Sequence, residues 1–277
     1  MSSFSLSVGP AVGETVYIKS LLDQWKGVFD VINISFYKPF VIQYRGTHAQ
    51  QYWKFINEYG KLFFSDPLYN FVEQQYQFMF AEDIISKYKL QPLVRNYTNI
   101  LCHPTYKHGF TDYVVLTTKL RLIPRSFYNQ IKDKLFGAIK NLSKKYKIMI
   151  VGEREIEYNE EYAAHGTDQI YSIYKDIISN IPKEKIIDMT IPGMGITVPS
   201  VEQIQKDCNL FRDSKFTIVL GFGGHFCLSS ATSNVMCFNM LNCISSIGNW
   251  FDDTIHPTLF ITKVFDDFIS EINKRAI

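Results

Sequence analysis

The sequence predicts an α/β protein made of two halves, each a mainly parallel sheet covered by helices. Three observations lead there. Short β-branched apolar runs alternate with helical stretches through residues 113–238, the succession that builds βαβ units. A second strand, glycine turn, helix and strand open the chain. The length of 277 residues suffices for two modest domains.

In the second half, Tyr113–Thr117 reads as the first buried strand. Pro124 and Ser126 open a helix whose apolar positions Phe127, Ile131, Leu135, Ile139 and Leu142 recur at helical spacing. Lys147–Gly152 is a second strand ending in glycine. Thr167 caps an expected helix carrying Ile170, Ile173, Tyr174, Ile177 and Ile181, and Pro182 ends it. Lys185–Met189 is a third strand. Ser200 with Gln203 three positions on has the capping-box pattern, and Val201, Ile204, Cys208 and Phe211 form the inner stripe of that helix. Phe216–Leu220 and Val235–Phe238 complete the strands. They are apolar throughout, as strands covered on both faces are.

The first half reads as a strand at Phe4–Val8, a turn at Gly9–Gly13, a helix from Glu14 to Trp25 and a strand at Val28–Ile34. Residues 46–95 have a helical pattern and carry Tyr52, Trp53, Phe55, Phe63 and Phe64, without a definite placement. His103–Asp112 is the expected linker between halves. Thr258–Ala276 reads as a closing helix with Phe260, Val264, Phe265, Phe268 and Ile272 on one face.

Composition narrows the function. The formal charge is +2 and the densest basic cluster, Lys144–Lys147, falls at an expected helix end, where cations complement the helix dipole; no nucleic-acid partner is expected. Five cysteines, Cys102, Cys208, Cys227, Cys237 and Cys243, form no CxxC pair, which suggests neither a disulfide framework nor a zinc knuckle and fits a reducing compartment. The first ten residues lack the pattern of a signal peptide and no stretch is apolar enough to span a bilayer. The expectation is a soluble, cytoplasmic protein.

The strongest local signal is Leu220–Ser230, where a buried strand runs into the glycines Gly221, Gly223 and Gly224. Missing side chains let a phosphate approach the backbone, and free N–H groups at a helix start bind anions; Ser229 and Ser230 can add hydroxyls. The competing reading is tight strand–helix packing. The nicotinamide fingerprint is not met, because its sixth position holds Phe226 rather than Gly or Ala. Arg154 follows the strand ending at Gly152 and has the planar fork that suits a pyrophosphate; a solvated charged loop is the alternative. Glu14 opens the first helix, where the dipole favours a carboxylate, and its place at a sheet edge also suits a base for an acceptor hydroxyl. No Asp-Xaa-Asp pair and no HxxxH occur, so no metal is expected to hold a diphosphate.

The opening Gly9-Pro-Ala-Val-Gly13-Glu14, the run Ile150–Glu155 and the late turn Gly221–Ser230 together resemble GT-B glycosyltransferases. The opening is similar to the Gly-x-x-Gly-Asp start of heptosyltransferase-like inverting enzymes, with Glu in place of Asp. Size and residue bias are similar to the chlorovirus xylosyltransferases that build capsid glycans. The resemblance implies two Rossmann-like halves facing a cleft: residues 1–108 for the acceptor, joined by a C-terminal helix at 258–277 returning to that half, and residues 109–257 for the donor. It implies metal-independent transfer with inversion from a nucleotide-diphosphate sugar, a UDP-sugar favoured and UDP-xylose among them, to a glycan hydroxyl. Glu14 would be the base. Lys119, Arg154, Gly223 and Gly224 would steady the departing diphosphate, supported by His225 and Ser229, and the loop after Met189 would contact the nucleobase. No resident cofactor is implied. The alternatives are a non-catalytic nucleotide- or sugar-binding module, a Rossmann oxidoreductase and a structural viral protein.

Overall fold

The structure, a computed structural model, describes residues 2–45, 48–90, 95–121, 123–156, 170–192, 198–221, 223–238 and 259–277. The first half contains strands β1 (Ser3–Val8), β2 (Val31–Phe36) and β3 (Tyr69–Phe71), with helices α1 (Val12–Leu22), α2 (Lys38–Arg45), α3 (Ala49–Phe63), α4 (Ala81–Tyr88) and α5 (Thr98–Leu101). The strands pair in parallel with β2 in the middle. The segment at Phe78 adds a parallel bridge to Ser7 on the free side of β1.

The second half contains β4 (Tyr113–Thr117), β5 (Lys119–Arg121), α6 (Arg125–Leu142), β6 (Lys147–Val151), β7 (Ile170–Ser172), α7 (Tyr174–Asn180), β8 (Ile186–Asp188), α8 (Val201–Asp213), β9 (Thr217–Leu220), α9 (Gly224–Ser230), β10 (Val235–Phe238), β11 (Leu259–Thr262) and α10 (Phe265–Ala276). Six strands lie in the order β11-β10-β9-β4-β6-β8, every neighbour parallel. Read in chain order from β8, that is the doubly wound 3-2-1-4-5-6 arrangement, whose order reverses between β4 and β9. β5 and β7 form a separate antiparallel pair above this edge.

Strand alternation divides the core. Val114, Leu116, Ile148, Ile150, Ile218, Leu220, Met236 and Phe238 pack with α6 and α10. Val115, Met149, Val151, Val219, Val235 and Cys237 face the other way, into a core continuous with the first half. Helix α1 joins the two: Gly13 and every residue from Thr15 to Leu22 are buried, as expected of a helix covered on all sides. It packs against α9 from the second half and against α3 and α4 from its own. Its buried Lys19 ammonium is held by Asp23 at 2.9 Å and lies over the Tyr69 ring, while Tyr69 and Tyr97 donate to the same carboxylate. Burial works against the Asp23 charge, but these donors hold its pKa below the ordinary value.

Three expectations are corrected. The C-terminal segment is not one helix returning to the first half: Leu259–Thr262 is a strand beside β10, and α10 buries Phe268, Ile269 and Ile272 with α6 in the second half. The helix expected from residue 170 begins with strand β7, because its backbone pairs with β5, and becomes helical at Tyr174. The capping box at Ser200 is half made: Ser200 Oγ accepts from the Gln203 amide, but the Gln203 side chain turns to Asp207. Thr167 and Cys243 lie outside the described residues. Among the described residues no helix is long and apolar enough to cross a membrane.

Candidate functional site

Ligands of doubly wound sheets bind outside the carboxyl ends of the strands, where the order reverses. Here that point is the edge shared by β4 and β9. β9 ends at Leu220; Gly221 follows with a φ of +85° that suits glycine, and the chain turns into α9 at Gly223 and Gly224. Gly223 is half-buried and Gly224 exposed. A side-chain carbon added at Gly224 would meet nothing within 4 Å, so the space over the helix start is open. The body of α9, from Phe226 to Ser230, is buried.

Neighbouring strand ends complete this edge. β4 ends in Thr117, whose buried hydroxyl oxygen has no hydrogen-bond partner among the described residues. Thr118 Oγ1 donates to the Glu153 carbonyl at 2.8 Å. Gly152, at φ +120°, admits no Cβ, which would sit 2.5 Å from Thr118 Oγ1 and 3.3 Å from His225 Cε1. The lack of a side chain there lets the ends of β4 and β6 meet α9. Burial, with the nearby Lys119 charge, pushes the His225 pKa down to about 4, so the imidazole is neutral at pH 7. Lys119 lies 3.6 Å from the Glu153 carboxylate.

Two strands away, at the ends of β6 and β8, Arg154 donates to Thr190 Oγ1 at 2.8 Å and pairs with Asp188 at 3.3 Å. Tyr174 donates to the same Asp188 oxygen at 2.7 Å. Burial opposes the Asp188 charge, but the Thr190, Tyr174 and Arg154 donors keep its pKa below the ordinary value. Met189 is half-buried in the core, its amide bonded to the Ile150 carbonyl at 3.0 Å.

The first half presents a second group to the same region. Gly9 to Gly13 connect β1 to α1, and this turn is pinned from α3: Tyr52 donates to the Pro10 carbonyl at 2.9 Å and Tyr59 to that of Val12 at 3.5 Å. Glu14, in the first turn of α1, is half-buried and folds its carboxyl group back over Gly9. A Cβ on Gly9 would lie 2.5 Å from the Glu14 Cδ and collide with its oxygens. Burial first, and the Glu82 charge second, push the Glu14 pKa up to about 7. The turn touches the second half directly: a Cβ on Gly13 would sit 3.2 Å from the Gly224 Cα and 3.1 Å from Cys227 Sγ. The two glycine turns, one from each half, therefore meet.

Of the residues singled out from the sequence, the structure brings Lys119, Gly223, Gly224 and His225 to one edge and sets the Glu14 turn against it. Arg154 stands apart from the glycine turn with its guanidinium engaged by Asp188 and Thr190. Ser229 is fully buried and its hydroxyl donates within α9, to the His225 carbonyl at 2.6 Å and that of Phe226 at 3.1 Å, so it faces helix rather than solvent. Thr118, Gly152, Glu82 and Asp188 were not singled out. Only Gly152 had a sequence signal, a glycine closing an apolar strand. Among the described residues no group of three or more His, Cys, Asp or Glu is arranged to hold a metal ion.

Two sheets of parallel α/β type, one doubly wound, with their glycine turns in contact, define the Rossmann-like GT-B fold. A crystal structure of dodecameric iron-containing heptosyltransferase TibC in complex with ADP-D-beta-D-heptose is similar to this chain at TM-score 0.50 and 14% identity, over 87% of this chain and 60% of that one. A structure of the iron-containing dodecameric glycosyltransferase TibC from enterotoxigenic E. coli H10407 aligns at TM-score 0.44 and 12% identity, over 87% and 59%. This chain thus spans about three fifths of the length of those structures. No family model and no curated protein sequence matches it.

Proposed function

We propose that the protein is a glycosyltransferase that moves a sugar from a nucleotide-diphosphate donor to a glycan hydroxyl, with inversion and without a metal. The observation that carries this is the contact of Gly13 with Gly224. That contact brings the turn preceding Glu14, whose carboxyl pKa is raised to about 7, against an open glycine turn at the reversal point of a doubly wound sheet. The likeness of the fold to a heptosyltransferase supports the same reading.

In this reading the diphosphate lies over Gly223 and Gly224, whose amides donate to it, and Lys119 neutralises its charge. Main-chain donors aimed at a developing negative charge stabilise it without reorganisation. Glu14 accepts the proton of the acceptor hydroxyl. The acceptor oxygen attacks the anomeric carbon from the face opposite the diphosphate, and the carbon–phosphate-oxygen bond breaks with its electron pair leaving on the nucleotide. A base whose pKa lies near neutrality suits this step. His225, being neutral, contributes a hydrogen bond rather than a charge. The nucleoside extends toward Arg154, Asp188, Tyr174 and the loop after Met189. The TibC structures are of an iron-containing enzyme; the described residues fit no such centre, and no step runs through one.

A thermal-shift screen against UDP-, GDP-, ADP- and CMP-sugars tests the proposal, since a ligand that binds only the folded state raises its apparent stability. A response to one nucleotide, with slow release of free sugar, is expected. It also separates the uridine donor expected from the sequence from the adenosine donor of the neighbour. Binding without donor breakdown, even with glycan added, marks a binding module instead, and no response to any of the four refutes the proposal.

A further inference from the structure

We propose that Tyr37, Phe40, Phe78 and Phe80 form a stacking platform for an uncharged sugar ring, so that the acceptor of the reaction proposed above is a neutral glycan. The inference rests on that reading for its function and on the following geometry for its place.

The four rings make one cluster. Tyr37 and Phe78 lie 4.8 Å apart between centroids, Phe40 and Phe78 4.8 Å, Tyr37 and Phe40 5.1 Å, and Phe78 and Phe80 4.6 Å. None is fully buried, and Phe80 is 48% exposed although it touches two of the others. Core aromatics of this chain, such as Phe36 and Phe63, are wholly enclosed. Most of the platform pairs meet edge to face. In that geometry the ring that points its edge at a neighbour keeps its own electron-rich faces clear of that neighbour.

The cluster sits at the edge that carries the Glu14 turn. The Tyr37 amide donates to the Val8 carbonyl at 2.9 Å, one residue before Gly9, and the Glu14 carboxyl group lies on Gly9. Phe78 bridges to Ser7, and the Met79 amide donates to the Ser7 carbonyl. Two residues beyond Phe80 stands Glu82, close enough to act on the Glu14 charge. Tyr37 and Phe78 are thus fixed to the carboxyl end of β1, and Phe40 and Phe80 rest on them and on each other.

Chemistry selects the occupant. The faces of a pyranose or furanose ring carry polarised C–H bonds that fit an aromatic face, while its hydroxyls need acceptors such as the two carboxylates alongside. Those carboxylates, with Asp83 on the same turn, disfavour a phosphorylated or otherwise anionic acceptor. The cations of α2 are engaged elsewhere, Lys38 over the Trp53 ring and Arg45 over the Tyr52 ring.

The test is saturation-transfer NMR of the full chain with cellotriose, maltotriose, mannotriose and xylotriose. UDP and ADP binding are measured in parallel by calorimetry. The wild type is expected to bind at least one trisaccharide. Phe80→Ala and Phe80→Leu are each expected to weaken that binding about tenfold while leaving nucleotide affinity unchanged. Phe80 is half-exposed, so neither change hollows the core; the leucine variant keeps apolar bulk and removes only the ring. The inference is overturned if the wild type binds none of the four trisaccharides. It is equally overturned if binding survives undiminished in both Phe80 variants and in Phe78→Ala. Failure of the wild type to bind UDP or ADP, with GDP and CMP equally without effect, defeats the transferase reading on its own, whatever the sugar result.

Discussion

Replacing Glu14 by Gln removes one charge and little else, and the structure fixes two consequences of opposite sign. Burial and Glu82 raise the carboxyl pKa from 4.5 to about 7. A raised carboxyl contributes stability that is complete below the unfolded value and lost as pH rises through the folded one. Above pH 7 the folded protein carries a charge it holds poorly. At 1.36 kcal/mol per pH unit the difference amounts to about 3 kcal/mol, a ceiling because Glu14 retains some contact with solvent. Glu14→Gln should therefore melt higher than the wild type at pH 8, by about 5–10 °C at most, and equally at pH 4. Catalysis moves the other way. Loss of a general base costs about 10²–10⁴-fold in turnover, with donor affinity kept. In the wild type, kcat/KM should rise with pH up to about 7 and then level. Parallel melting curves from pH 4 to pH 8, with a nucleotide-release assay over the same range, read both effects. Identical pH dependence of melting in the two proteins, or retained turnover in the variant, would refute the reasoning.

Three further outcomes follow from the same geometry. Tyr52→Phe removes the hydroxyl that holds the Pro10 carbonyl; it should cost about 1 kcal/mol by chemical denaturation and lower turnover more than donor affinity, because the turn that aims Glu14 is loosened. Gly60→Ala places a methyl 2.6 Å from a Phe36 ring carbon and against the Phe71 ring; overpacking should destabilise the fold by about 1–3 kcal/mol, read from the shift in the denaturation midpoint. His225 should titrate by NMR with a midpoint near the value of about 4 set by burial and Lys119. Its contribution to stability is then complete above about 6.5 and lost as pH falls through 4, and a midpoint near 6.5 would contradict its placement.

Most of the second half was readable because its strands are short apolar runs bounded by turn residues, and its helices carry clear inner stripes. Pairing order is not a local property: nothing in β4 or β9 alone says that they are neighbours, so the reversal point emerged only with the sheet. Residues 46–95 resisted placement because α3 buries tyrosines whose rings suit core and surface equally; their task, holding the Gly9–Gly13 turn through Tyr52 and Tyr59, depends on contacts more than forty residues away. Of the C-terminal stripe Phe268 and Ile272 are buried, whereas Phe260 lies in β11 and Val264 is exposed; the segment was also given to the wrong half, since amphipathicity shows that a face is buried and not what buries it. Glycines at Gly9, Gly152 and Gly224 were the best guides to the site. A side chain at Gly9 or Gly152 would occupy space held by the Glu14 carboxylate or by Thr118 and His225, and Gly224 opens on the space proposed for the diphosphate. Ser229 misled because a serine after a glycine turn looks like a donor, whereas the helix phase turned it inward.

The most direct measurement is calorimetric titration of UDP and ADP into the wild type and into Gly224→Asp. A Cβ added at Gly224 meets nothing within 4 Å, and a carboxylate at a helix start is favoured by the dipole, so the variant should melt no lower than the wild type. If a diphosphate rests on the Gly223–Gly224 amides, the wild type binds one of the two nucleotides and the variant loses that binding by charge repulsion at the same place. Equal affinity in the two proteins would put the nucleotide elsewhere and contradict the site.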